Sequence, residues 1–101
     1  MNVKDDSVNI WGLQVEMQPV LKYADHLWRK YGTTLTVTSA RDGMHSAGSL
    51  HYYGYAVDFR IRYFTARQAF KAKNDLALSL GNDYDVILHS SHMHVEYDPR
   101  V

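Results

Sequence analysis

Apolar residues recur at helical spacing in two segments of the chain. The first runs from residue 19 to residue 31, with Pro19 in its first turn and Gly32 as its terminator. Its expected apolar stripe is Leu21, Ala24, Trp28 and Tyr31. The second begins near Thr65 and ends at Gly81, and Thr65 with Gln68 fits a capping box. Its expected stripe is Ala69, Ala72, Leu76 and Leu80.

Strand patterns fill much of the remaining chain. Residues 33–39 are rich in β-branched side chains, and residues 55–62 alternate between apolar and polar. In the second of these, Asp58, Arg60 and Arg62 should share the polar face. Residues 84–89 and 92–98 predict two further strands joined as a hairpin through Ser90 and Ser91, whereas residues 40–50 read as a loop.

These elements predict one α+β domain covering residues 1–101. Its expected core is a small, mainly antiparallel sheet with two main helices packed on one face. A length of 101 residues leaves no room for a second core, and the 46% hydrophobic content suits an ordinary globular domain.

Charge and hydropathy exclude several kinds of partner. The formal net charge is zero, which argues against nucleic acid or an anionic membrane as a bulk electrostatic partner. No run of about 18 apolar residues predicts a membrane span. The first residues are polar and acidic, so we expect no signal peptide. Arg60, Arg62 and Arg67 could bind an anionic substrate, although a solvated face is the favoured interpretation.

Histidine and aspartate residues supply the candidate chemistry. His51 and Asp58 lie seven residues apart, and a second imidazole comes from the pair His92 and His94. Two imidazoles and one carboxylate form an open three-ligand metal site of the kind that catalytic zinc uses. The order of the ligands does not identify the metal, but the absence of cysteine excludes a closed thiolate site. Alternation also places Glu96 on the same face as the two histidines.

The pattern of these residues resembles the signature of the zinc D-Ala-D-Ala carboxypeptidase family. Residues 49–58 read Ser-x-His-x-x-Gly-x-Ala-x-Asp, and residues 92–94 read His-x-His. That family includes vancomycin-resistance dipeptidases and phage endolysins, and hedgehog signalling domains share its zinc fold. The resemblance extends over roughly residues 36–99. The small size of the chain is most similar to the compact bacteriophage members.

The resemblance implies a Zn²⁺ ion held by His51, Asp58 and His94. It places His92 near the zinc-bound water as a catalytic residue. It also makes Arg41 the residue that orients the substrate and polarises its carbonyl. Ser49 would contact either the substrate or the residues that surround the metal ligands. Gly54 would allow a close approach of the chain, and its alternative role is a local turn.

The implied function is zinc-dependent hydrolysis of peptidoglycan stem peptides. The protein would be a D,D-carboxypeptidase or an endopeptidase of the endolysin type. We expect a monomer that is made in the host cytoplasm and acts on the cell wall if it is lytic.

The sequence departs from the family at the general base. Enzymes of the family often carry a carboxylate three residues before the last histidine ligand, where this chain has Ser91. One interpretation makes His89 the base, because imidazole serves at neutral pH. A second uses Glu96, whose alternative role is to orient a histidine or to pair with an arginine. A third retains the zinc and loses catalysis, which leaves a silent zinc-binding or wall-binding module.

Overall fold

The chain folds into a sheet that carries two helices. A computed structural model describes residues 1–40 and 53–99. Within them a 3-10 helix, Val15–Met17, precedes the first α-helix. The helices are α1 (Gln18–Lys30) and α2 (Ala66–Leu80). The strands are β1 (Asn2–Val3), β2 (Thr36–Ser39), β3 (Ala56–Arg60), β4 (Tyr84–Leu88) and β5 (His92–Tyr97).

The sheet has the strand order β1-β2-β3-β5-β4. Strand β1 runs parallel to β2, and each of the other neighbouring pairs is antiparallel. Both helices contribute side chains to the same buried cluster as the strands. The predicted α+β class, with a mainly antiparallel sheet, is therefore confirmed.

Helix α1 packs on the sheet through a stripe slightly rotated from the predicted one. Val20, Ala24 and Trp28 are fully buried, whereas Leu21 and Tyr31 are only partly buried against the core. The Trp28 ring meets Phe59 of β3 edge to face, with ring centroids 5.7 Å apart. Since Trp28 and Phe59 are among the largest fully buried side chains, this contact anchors the helix on the middle of the sheet.

Helix α2 begins and ends where the sequence predicts. The Thr65 hydroxyl accepts from the Gln68 amide at 3.1 Å, and the Gln68 side chain accepts from the Thr65 amide at 3.0 Å. This is the predicted capping box. Gly81, with φ +88°, follows the last turn and donates to the Ala77 carbonyl at 3.0 Å. The predicted position Leu80 is only partly buried.

Alternation along β3 and β5 gives the sheet two different faces. Val57 and Phe59 of β3, with Met93 and Val95 of β5, are fully buried in the core cluster. The intervening residues point away from the helices, as period two requires. The face of the sheet that points away from the helices therefore carries Asp58, Arg60, His92, His94 and Glu96.

Gly54 lies where two chain segments pass closely, as the sequence predicts. Its φ is +82°, and a Cβ at this position would overlap the Gly12 carbonyl oxygen. The Gln14 amide donates to the Gly54 carbonyl at 2.9 Å. Only glycine satisfies both the dihedral angle and the space. This contact holds the residues before the 3-10 helix against the residues that lead into β3.

Gly54→Ala is expected to destabilise the protein by about 2–5 kcal/mol, from an unfavourable dihedral angle and from backbone overlap. Gly32→Ala is the matched control, because Gly32 has φ +73° but a Cβ at its position would have no neighbouring atom within 4 Å. It should cost only about 1–2 kcal/mol. Urea denaturation measures both values. Equal losses of unfolding free energy in the two variants would mean that the backbone overlap at residue 54 adds nothing to the cost of its substitution.

Candidate active site

The sheet register brings the polar residues of β3 and β5 into transverse rows. Asp58 lies opposite His94, Arg60 lies opposite His92, and Ala56 lies opposite Glu96. The register between β2 and β3 shifts beside Asp58, a local irregularity of the kind often found next to functional sites. The predicted common face of His92, His94 and Glu96 thus meets Asp58 directly.

The His94 ring bridges two carboxylates. Its Nδ1 lies 2.8 Å from Asp58 Oδ1, and its Nε2 lies 2.9 Å from Glu96 Oε1. The side chains of His94 and Asp58 are 16% and 15% exposed. Both ring nitrogens are therefore engaged in a largely buried place, and the ring cannot turn without breaking a hydrogen bond.

The surroundings of His94 act on its pKa in opposite directions. Burial of the ring is the largest single influence and lowers the pKa. Hydrogen bonds to Asp58 and Glu96, together with the charges of both carboxylates, raise it, and their sum raises the His94 pKa above its ordinary value. The metal-free site therefore favours an imidazolium that donates from both nitrogens.

Metal-free protein is expected to lose stability as the pH rises. The His94 pKa is raised on folding, so its contribution is fully present below the ordinary value of 6.5. That contribution disappears as the pH rises through the folded-state pKa, because the folded protein then gives up the extra proton. Urea denaturation in the presence of chelator, from pH 6 upward, measures how steeply the free energy of unfolding falls with pH. His94→Gln, which cannot titrate, should flatten it; an unchanged slope in that variant contradicts the assignment.

Two further histidines lie near the pair formed by Asp58 and His94. His92 Nε2 is 4.0 Å from Asp58 Oδ2, and its ring stacks on His89 with centroids 4.6 Å apart. The His89 ring centroid lies 6.4 Å from that of His94. Across the hairpin the His89 amide donates to the His92 carbonyl at 2.9 Å. The turn after β4 thus brings His89 to the same end of the site as His92.

Glu96 lies on the other side of the His94 ring. It contacts Nε2, whereas Asp58 contacts Nδ1. Metal-binding histidines usually donate their second ring N–H to a carboxylate, which fixes the tautomer and the ring orientation. The position of Glu96 matches this orienting role, one of the three that the sequence left open for it.

Three predicted site residues, Arg41, Ser49 and His51, lie outside the described residues. The predicted ligands that are described, Asp58 and His94, lie together and point their donor atoms at one another. A neutral imidazole and a carboxylate suit Zn²⁺, and the hydrogen bond of His94 to a second carboxylate is the usual support for such a ligand. The donor chemistry of this half of the site therefore fits zinc.

A group of carboxylates at the other end of the face could also hold a metal ion. Asp85, Glu96 and Asp98 each offer one oxygen, and these atoms lie within 4.8 Å of one another. Asp85 faces Glu96 across β4 and β5. An all-oxygen set suits Ca²⁺ or Mg²⁺ better than zinc. Sequence reasoning missed this group, although the predicted hairpin would have paired Asp85 with Glu96.

Comparisons with known proteins add no support to the resemblance, which rests on the identities and spacing of the residues. No protein family model matches the chain, and no curated protein matches it. Among the described residues no helix is long and apolar enough to cross a membrane.

Proposed function

We propose that this protein is a zinc-dependent peptidase that cleaves peptidoglycan stem peptides, as a D,D-carboxypeptidase or an endopeptidase of the endolysin type. The observation that supports it most is the chain Asp58–His94–Glu96, joined at 2.8 and 2.9 Å. In this proposal His51 completes the ligand set with Asp58 and His94, within a fold like that of the hedgehog domains.

Zinc, when bound, supplies a Lewis acid that polarises a carbonyl and lowers the pKa of water. Asp58 and His94 contribute one anionic and one neutral donor. Glu96 holds the proton on His94 Nε2, so that Nδ1 keeps its lone pair for the ion. Because Asp58 and His94 project from adjacent antiparallel strands, their separation is fixed by the sheet itself.

His89 is the proposed proton acceptor. It is exposed, and it stacks on His92 at the end of the site away from Glu96. Imidazole can accept a proton near neutral pH and later pass it to the leaving amine. Glu96 is less suited to this task, because His94 Nε2 already engages its Oε1 at 2.9 Å.

His92 is proposed to stabilise negative charge on the reacting carbonyl. Its Nδ1 lies 3.0 Å from the Ser91 hydroxyl, and its Nε2 points toward Asp58 at 4.0 Å. In this role an imidazole N–H of His92 donates to the developing oxyanion. By resemblance, Arg41 and Ser49 orient the substrate.

Glu96→Gln is expected to weaken zinc binding by about 10–100-fold, the usual effect of removing the carboxylate that orients a metal-bound histidine. Competition with a chromogenic chelator measures the affinity. Asp85→Asn is the control. Asp85 belongs to the acidic group, but it lies opposite Glu96 on the neighbouring strand. The residue opposite His94 is Ile87, so Asp85 is not the cross-strand partner of the proposed ligand. If Asp85→Asn lowers the zinc affinity as strongly as Glu96→Gln does, the metal is bound by the acidic group instead.

Digestion of purified peptidoglycan tests the proposal. Zinc-loaded protein should shorten stem peptides, which mass spectrometry detects as loss of a terminal alanine or as new peptide ends. Chelator should stop the reaction and added zinc should restore it. Stem peptides that keep their mass after prolonged incubation would exclude the peptidase.

A second candidate is a catalytically silent zinc-binding or cell-wall-binding module of the same fold. It is favoured by the absence of a carboxylate from residues 86–95, which include the position where enzymes of the family often carry their general base. Tight zinc binding without any change in the muropeptides would select this function.

A further inference from the structure

Exposed aromatic side chains flank the backbone contact between residues 12 and 54. Trp11 is 93% exposed and Tyr53 is 50% exposed. Because a Cβ on Gly54 would overlap the Gly12 carbonyl oxygen, the backbones next to the two aromatic residues touch. Tryptophan is highly buried on average in folded proteins, and exposed apolar groups that cluster commonly mark a binding surface. Trp11 and Tyr53, the aromatic pair, therefore form a candidate binding surface.

Hydrogen bonds hold the backbone that carries the aromatic pair. The Gln14 amide donates to the Gly54 carbonyl at 2.9 Å, and Gln14 Nε2 donates to the Tyr53 carbonyl at 3.1 Å. On the other segment the Gly12 amide donates to Asn9 Oδ1 at 3.2 Å. Both segments are thus ordered before a ligand arrives, which lowers the entropic cost of binding.

The surroundings of the aromatic pair favour a neutral, polar ligand. Residues 5–21 and 53–59 contain no lysine or arginine, whereas the first of these segments carries Asp5, Asp6 and Glu16. Aromatic residues that enter an anionic membrane surface are usually accompanied by basic residues, which these segments lack. The exposed amides of Asn9 and Gln14 are neutral groups that both donate and accept hydrogen bonds. Aromatic rings beside neutral amides suit a ligand that carries hydroxyl and amide groups.

The aromatic pair lies close to the candidate site. Ala56, the first residue of β3, lies opposite Glu96, and Tyr53 precedes Ala56 by three residues. Five residues separate Tyr53 from Asp58, and a fully extended chain of that length spans at most about 18 Å. A polymer that covers the aromatic pair can therefore also reach the site where Asp58 meets His94.

We propose that Trp11 and Tyr53 bind the glycan of peptidoglycan by stacking against the C–H faces of its N-acetylhexosamine rings. The face of an aromatic ring is electron-rich and attracts the weakly positive C–H groups of a sugar ring. The amides of Asn9 and Gln14 supply hydrogen bonds for hydroxyl and acetamido groups. A glycan strand carries the stem peptides that the proposed peptidase cuts, so the identity of this ligand rests on the proposed function. The aromatic pair holds the polymer while the metal site acts on the peptide.

Titration with glycan strands that an amidase has freed of stem peptides tests this site apart from catalysis. The chain has two tryptophans, and Trp28 is fully buried, so a ligand that covers Trp11 changes the exposed part of the fluorescence. In zinc-loaded protein the strands should shift the emission to shorter wavelength and reach saturation. Calorimetry should show that the affinity falls at least about 10-fold in Trp11→Ala and in Tyr53→Ala, as expected for aromatic residues that dominate a small binding surface. Thermal unfolding verifies the fold of each variant.

Phe70→Ala is the matched control, because Phe70 is also an exposed aromatic residue but lies on α2. It should retain the wild-type affinity. Absence of glycan binding, or an affinity that survives both substitutions in the aromatic pair, would overturn the proposal. Trp11-dependent binding to phosphatidylglycerol vesicles in place of glycan would also overturn it, and so would Trp11-dependent self-association in ultracentrifugation. These results would assign the surface to a membrane or to a second copy of the chain.

Two results separate this proposal from the proposed function. Cleavage of a soluble stem peptide by a protein that binds no glycan strands would leave the peptidase standing and remove the glycan site. Trp11-dependent glycan binding by a protein that leaves stem peptides intact would support the glycan site and contradict the peptidase. If both proposals hold, Trp11→Ala should slow the digestion of intact peptidoglycan and leave the cleavage of a soluble stem peptide unchanged.

Discussion

Replacing His94 with alanine is expected to abolish both zinc binding and peptide hydrolysis. His94 Nδ1 lies 2.8 Å from Asp58 Oδ1, and the ring is held from the other side by Glu96. Zinc that binds only the folded state stabilises wild type by about 2.7 kcal/mol at 100 times its Kd. For a domain of this size that raises Tm by roughly 10–20 °C. The variant should show no zinc-dependent shift in Tm.

Two further variants complete this test. His51→Ala should behave like His94→Ala, because the resemblance makes His51 a ligand. His92→Ala should keep the zinc and the Tm shift while losing turnover, since its Nε2 lies 4.0 Å from Asp58 and its proposed role is toward the substrate. Equal loss of metal in all three variants would mean that the assignment of the ligands is wrong.

His89→Ala is expected to reduce turnover by about 10²–10⁴-fold, the usual contribution of a general acid–base residue, without loss of zinc. His89→Glu should retain or raise the activity, because it returns a carboxylate to the end of the site where His89 stacks on His92. Turnover of a muropeptide and zinc content are measured on the same samples.

The outcome also separates the alternatives for the base. If Glu96→Gln that is fully loaded with zinc lacks turnover while His89→Ala retains it, Glu96 is the base and the proposed assignment fails. If wild type is inert and His89→Glu becomes active, the protein is a silent module on a peptidase scaffold.

Periodicity predicted most of the fold because each long element repeats its pattern several times. The boundaries of α2 follow from Thr65, Gln68 and Gly81, whose side chains or backbone angles act locally. Strand β1 was missed because Asn2–Val3 is too short to show alternation. It is set by backbone pairing with β2, which local sequence does not encode.

The candidate site was predictable in part. Period two places His92, His94 and Glu96 on one face, and the structure has them there. The register of β3 against β5 decides which histidine meets Asp58, and that register depends on packing between distant segments. The acidic group, by contrast, follows from the predicted hairpin, which pairs Asp85 with Glu96.

Anomalous diffraction at the zinc absorption edge, from crystals grown with zinc, tests the central claim most directly. The account predicts one strong peak about 2.0–2.2 Å from a nitrogen of His51, a nitrogen of His94 and an oxygen of Asp58. A peak among Asp85, Glu96 and Asp98, or no peak at His94 with zinc in excess, would contradict it.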